Sequence, residues 1–162
     1  MLNGPYGRKD KLIKERRHDT YYQRGKWPSP TLCTACQALY VNGRWTWQDA
    51  SSLSSPAETT CPACRRITDR YPAGYIKIQG SFYKEHQQDL MNLVRNVERE
   101  EKNGRPMERL MSIDKAKDHI SITTTGVHLA RRIGEALARS YKGELSIRYA
   151  DDEHSVRINW IR

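Results

Sequence analysis

Polar and apolar residues alternate with a period of two in three stretches near the end of the chain, the mark of half-buried strands. His119-Ile120-Ser121-Ile122-Thr123-Thr124 puts Ile120 and Ile122 on one face, Leu145, Ile147 and Tyr149 share a face further on, and Val156, Ile158 and Trp160 share another. Between the first two, Thr125-Gly126 opens a helix whose Ala130, Ile133, Leu137 and Tyr141 form one stripe, with Gly143 at the C-cap position. Asp151-Asp152 supplies the turn that makes the last two strands an antiparallel hairpin. Residues 119–162 therefore predict a β-α-β-β domain. Upstream, Phe82, Leu90, Leu93, Val94 and Val97 recur at helical spacing, which predicts one helix capped by Ser81 and stopped by Asn103-Gly104. Pro106 is placed to open a second helix that buries Met107, Leu110 and Met111. Residues 81–118 thus read as a helical segment.

The pattern changes over residues 31–80. Leu39-Tyr40-Val41 and Arg44-Trp45-Thr46-Trp47 flank Asn42-Gly43, a strong hairpin-turn dipeptide. Trp45 and Trp47, two apart, point to one side and are expected in a small core. Residues 50–60 read as a polar loop, and Gly74 to Gly80 bracket a short strand. Residues 1–30 have no hydrophobic period. They read as a basic flexible arm with room for a short helix around Leu12 to Arg17.

The chemistry of the chain sits in its four cysteines, Cys33-Thr-Ala-Cys36 and Cys61-Pro-Ala-Cys64, separated by 24 residues. Two such knuckles with a hairpin between them are what a tetrahedral four-cysteine zinc site requires. Cys33, Cys36, Cys61 and Cys64 are expected to hold one structural Zn2+ in a zinc-ribbon or treble-clef module. The second knuckle runs into Arg65-Arg66-Ile67-Thr68-Asp69-Arg70-Tyr71, a helix start that favours the treble clef. Disulfides are the rival reading, but no hydrophobic leader opens the chain, so a reducing, cytoplasmic compartment is expected. The fold class that results is α+β: the zinc module, then helices, then the β-α-β-β domain.

Charge sharpens the choice of partner. The formal charge is +9, and residues 1–30 alone carry eight basic side chains against three acidic ones. Such an arm beside a zinc module suits a polyanion, although a merely soluble surface would carry the same charge. Tyr6, Tyr21, Tyr22 and Trp27 lie among the cations, where they either stack on unpaired bases or pin the arm to the folded body. Candidate RNA contacts are Arg8, Lys9, Lys11, Lys14, Arg16 and Arg17 on the arm, Arg65, Arg66 and Arg70 beside the second knuckle, and Arg131 and Arg132 on the last helix. Arg65, Arg66 and Arg70 have a second use, offsetting the charge of −2 that zinc with four thiolates carries. No run of about 18 apolar residues is present, so no membrane span is expected.

Enzyme motifs are missing from the sequence. It contains no Gly-x-x-x-x-Gly-Lys-Ser/Thr loop, no Gly-x-Ser-x-Gly elbow and no His-x-x-x-His pair among its five histidines. Thr123-Thr124-Thr125-Gly126 reads as an ordinary strand-to-helix connection rather than an anion site, with His128 as a capping partner. A non-enzymatic protein without a small-molecule substrate is the expectation.

Three stretches carry a resemblance: Cys61-Pro-Ala-Cys64-Arg-Arg-Ile-Thr-Asp-Arg-Tyr-Pro-Ala-Gly-Tyr, His128-Leu-Ala-Arg-Arg-Ile-Gly-Glu-Ala-Leu and Tyr141-Lys-Gly-Glu-Leu. The chain resembles a family of small bacterial zinc-knuckle proteins of uncertain function, and is similar to part of the Nmd-three family of large-subunit ribosome export and assembly adaptors. That similarity implies ribosomal RNA and the large ribosomal subunit as partners. It does not extend to export or assembly activity, since those adaptors have more cysteines and further domains. A zinc-dependent protein-interaction module and a DNA-binding regulator are the alternatives. The second lacks a recognition helix rich in basic and amide side chains.

Overall fold

The computed structural model describes residues 21, 27–150 and 154–162. Arg8, Lys9, Lys11, Lys14, Arg16, Arg17, the helix expected around Leu12 and the Asp151-Asp152 turn lie outside the described residues. Four short strands, β1 (Thr31–Cys33), β2 (Leu39–Val41), β3 (Arg44–Thr46) and β4 (Ala57–Thr59), form a sheet in the order β3-β2-β1-β4. Asn42 and Gly43 turn β2 into β3 at φ 50° and 87°, so Val41 pairs with Arg44 as a two-residue hairpin requires. The polar stretch after it is not all loop: Ala57, Glu58 and Thr59 pair in parallel with Thr31, Leu32 and Cys33. Strand β3 stops at Thr46, so the alternation that would bury Trp47 ends one residue early. Trp45 packs against Tyr40 and Trp27, ring centroids 5.4 Å from each, while Trp47 is 38% exposed. Trp27 thereby pins the end of the arm.

Helix α1 (Pro62–Asp69) follows directly, with Pro62 at its first turn. The order of knuckle, hairpin and helix-borne knuckle is that of a treble clef. Next comes β5 (Gly74–Gln79), which the sequence reading attached to the zinc module. It is instead the middle strand of a second sheet, ordered β6 (Leu110–Lys115), β7 (His119–Thr124), β5, β9 (Val156–Ile161) and β8 (Glu144–Tyr149), antiparallel to β7 and parallel to β9. Gly74 lets β5 sit against the last helix, for a Cβ there would meet Thr124 Oγ1 at 2.2 Å and the Ala130 Cβ at 2.5 Å. The last strands, β8 (Glu144–Tyr149) and β9, pair as the expected antiparallel hairpin.

The single helix expected from Ser81 is two, α2 (Ser81–Glu85) and α3 (Gln87–Gly104), broken at His86 and begun from Gly80 rather than capped by Ser81. The helix expected from Pro106 does not form. Leu110–Lys115 is strand β6, paired antiparallel with β7, and its register shifts between Leu110 and Ser112. Apolar residues three apart in so short a run fit a bulged strand as well as a helix, and the open edge of β7 decides between them. Helix α4 (Val127–Tyr141) buries Ala130, Ile133 and Leu137 against the sheet as its stripe requires. Its first turn receives the Glu108 carboxylate, which accepts a hydrogen bond from the Leu129 N–H at 2.9 Å. His128 does not cap it; its Nε2 lies 2.8 Å from Glu101 on α3. One core runs through Ile76, Ile78, Leu90, Val94, Ile122, Ile133, Leu137 and Trp160. No helix among the described residues is long and apolar enough to cross a membrane.

Candidate metal centre

Each cysteine is delivered by a different piece of local structure. Cys33 ends β1, and the turn after it is closed by hydrogen bonds from Cys33 N–H to Ala38 O and from Gln37 N–H to Cys33 O. Gln37 takes φ 66° to return the chain into β2, which leaves Cys36 facing Cys33's side of the turn. Cys61 is the N-cap of α1, and its sulfur accepts the Cys64 N–H at 3.4 Å. The parallel β1–β4 pair holds the two knuckles together, because Cys33 stands beside Thr59, two residues before Cys61.

The sulfurs of Cys33, Cys36, Cys61 and Cys64 all lie within 4.8 Å of one another. Cys33 to Cys64 measures 3.9 Å and Cys36 to Cys61 3.8 Å. A disulfide would need about 2.05 Å, and all four cysteines are free. An ion held tetrahedrally about 2.3 Å from each sulfur has S–S edges of about 3.8 Å. The cluster therefore fits a single metal ion with four protein thiolates, and such a shell has no open position for a substrate.

The surroundings act differently on the individual sulfurs. Burial works against ionisation at Cys33, yet the backbone N–H groups of Cys61, Cys36 and Ala35 outweigh it and bring this thiol down to about 7. At Cys61 burial dominates and pushes the metal-free thiol well up. Cys64 is also raised by burial, against a hydrogen bond from Arg109. The N-terminus of α1 adds its partial positive charge beside Cys61 and Cys64.

Arg109 is the residue the sequence reading missed. It precedes β6, 45 positions from Cys64, and is 7% exposed. Its Nη1 donates to Cys64 Sγ at 3.2 Å, and its Nη2 donates to Cys36 Sγ at 3.0 Å and Cys61 Sγ at 3.5 Å. Its Nε donates to Pro106 O at 2.7 Å, and the Trp47 ring lies 5.6 Å from the guanidinium carbon. Burial pulls the guanidinium down, but its hydrogen bonds to Cys64 and Cys36 prevail and hold it above the ordinary arginine value. Thr125 secures the backbone there, accepting the Arg109 N–H at 2.9 Å and donating to Met107 O at 2.6 Å. The arginine that offsets the thiolate charge thus comes from the edge of the second sheet. Nothing local marks it, since it is one of 28 basic residues and lies in a segment that reads as helix.

The arginines singled out from sequence go to different places. Arg66, 5% exposed, donates to Tyr71 O at 3.1 Å, and its guanidinium lies 4.4 Å from the Tyr21 ring centre. Tyr21 in turn donates to Asp69 at 2.7 Å, so this aromatic also pins the arm. Arg65 is exposed and donates to Thr59 Oγ1 at 3.1 Å; Arg70 is exposed at the C-cap of α1. Arg132 pairs with Glu101 at 3.0 Å, and Arg131 approaches Glu135 at 3.5 Å, so both are engaged within the protein.

No protein-family model, curated protein or solved structure matches this chain.

Proposed function

We propose that this is a non-catalytic, zinc-stabilised RNA-binding protein that docks on the ribosome through its large subunit. The observation that carries the RNA part is the face of the five-stranded sheet opposite α4. Register places Ser112, Thr123, Tyr75, Arg157 and Arg148 in one row across all five strands, with Lys77 and Asn159 in the next. None of these side chains is buried. Arg148 and Arg157 stand directly opposite each other, and neither pairs with a carboxylate among the described residues. Like charges so placed cost the sheet about 0.2–1 kcal/mol, a cost that a phosphate between them would reverse. Arg157 also lies 4.5 Å over the Tyr75 ring. A tyrosine set among cations and small polar groups on an open sheet suits a stacked base with its phosphates.

Zinc is the metal this shell suits, because four thiolates in tetrahedral array with no open position make a structural zinc site. The ribosomal assignment is supported by the resemblance of residues 61–75, 128–137 and 141–145 to the adaptor family. Sedimentation of a cell extract through sucrose at low and high salt, with detection of the protein, tests it. Co-migration with large subunits that is lost at high salt is expected of electrostatic docking. Migration at the top of the gradient under both conditions would refute the ribosomal assignment.

A further inference from the structure

An open groove of about 940 Å³ lies between the metal centre and α3. Its lining includes Arg95, Arg99 and Lys102 of α3, Trp47, and Leu110 and Ile113 of β6. The three cations stand at i, i+4 and i+7 on α3, one stripe of the helix. Glu98, the one carboxylate among the described residues of the lining, is turned to the backbone, where its Oε1 accepts the Leu110 N–H at 3.2 Å. Neither Arg95 nor Lys102 pairs with a carboxylate among the described residues, whereas Arg132 and Arg131 on neighbouring α4 do. Trp47 is held in place by its own N–H, which donates to Lys102 O at 2.6 Å, and remains 38% exposed. Cys36 and Arg109 also line the groove, so its position depends on the metal centre.

We infer that this groove seats a stretch of single-stranded RNA, with phosphates along Arg95, Arg99 and Lys102 and a base against Trp47. The inference rests on the RNA-binding reading above and adds to it a second, separate seat. Charge complementarity selects a polyanion over an apolar peptide. A half-exposed aromatic ring in the same lining as the cationic stripe selects unpaired nucleotides, because bases locked in a duplex offer no free ring face. The apolar floor of Leu110 and Ile113 gives the same base a dry edge.

Fluorescence anisotropy with a labelled single-stranded oligouridylate across a salt series tests this on the metal-loaded full chain. For the Arg95→Gln/Lys102→Gln pair, the slope of log affinity against log salt should fall by about 1.4, from about 0.7 per charge on single strands. Trp47→Ala should weaken binding roughly 5- to 150-fold, the effect of one lost base stack. Trp47→Phe keeps a ring and should recover most of the affinity, which separates stacking from the hydrogen bond to Lys102. Metal content and circular dichroism of each variant confirm that the module is intact. Wild-type binding with unchanged affinity and slope in these variants would overturn the groove assignment and leave RNA binding to the sheet face. Duplex RNA that competes as well as the single strand would overturn the stacking geometry. A wild-type chain that ignores RNA but binds polyglutamate would overturn both readings in favour of an acidic protein partner.

Discussion

Replacing Arg109 by methionine, which has similar reach but no charge or donor, probes how the two halves of the molecule are joined. The guanidinium makes three contacts to thiol sulfurs at 3.0–3.5 Å and is 7% exposed, so solvent cannot take its place without opening the site. A zinc ion with four thiolates carries two negative charges, and removing the buried cation that faces them costs about 3–5 kcal/mol. The metal-free form loses less, because burial keeps the protons on Cys61 and Cys64. The difference therefore falls mainly on the loaded state, and zinc affinity should drop roughly a hundred- to a thousand-fold. Competition against a chromophoric chelator measures it directly. Arg109→Lys should recover only part of the affinity, since one ammonium cannot span three sulfurs and Pro106 O as the planar fork does. A methionine variant that binds zinc as tightly as the wild type would refute the argument and make Arg109 a packing residue.

Chelation of the metal should unfold the small sheet and α1 while the five-stranded sheet persists, because the large core contains none of the cysteines. Hydrogen exchange resolved by segment would show it, and simultaneous loss of both sheets would contradict it. Gly74→Ala forces a Cβ onto Thr124 Oγ1 and Ala130, and should lower stability by about 1–3 kcal/mol in denaturant titration. Burial holds the Glu108 carboxyl above its ordinary value, against the Leu129 N–H that favours its charge. A raised folded value makes its contribution largest below the unfolded pKa and progressively lost as pH rises through the folded one. Glu108→Gln should therefore flatten the stability profile over the carboxylate range, and an unchanged slope of urea midpoint against pH would count against that reading.

Much of this architecture is legible in the residues themselves. Cys-x-x-Cys spacing, the Asn-Gly turn and Pro62 after Cys61 are local signals, and local geometry follows from them because each constrains only a few adjacent dihedrals. The same holds for Ile120 and Ile122, for the α4 stripe and for the closing hairpin, whose periods are set by which face is wet. What misled was context. Leu110 and Met111 follow a proline and fit a helix as readily as a strand, and only the exposed edge of β7 draws them into the sheet. Gly74–Gln79 has the pattern of a strand but no sign of its partners, which lie 40 to 80 residues further along the chain.

The metal centre divides in the same way. Four cysteines in two knuckles determine that a tetrathiolate cluster forms, since short turns and a helix start place each pair of sulfurs without outside help. Which cation balances the cluster is decided by tertiary structure. Arg66, two residues from Cys64, turns away to stack on Tyr21, while Arg109 enters from the second sheet. Charge compensation acts through space across a buried gap of about 3 Å, so it selects whichever arginine the folded sheet brings there, and sequence distance has no bearing on that choice.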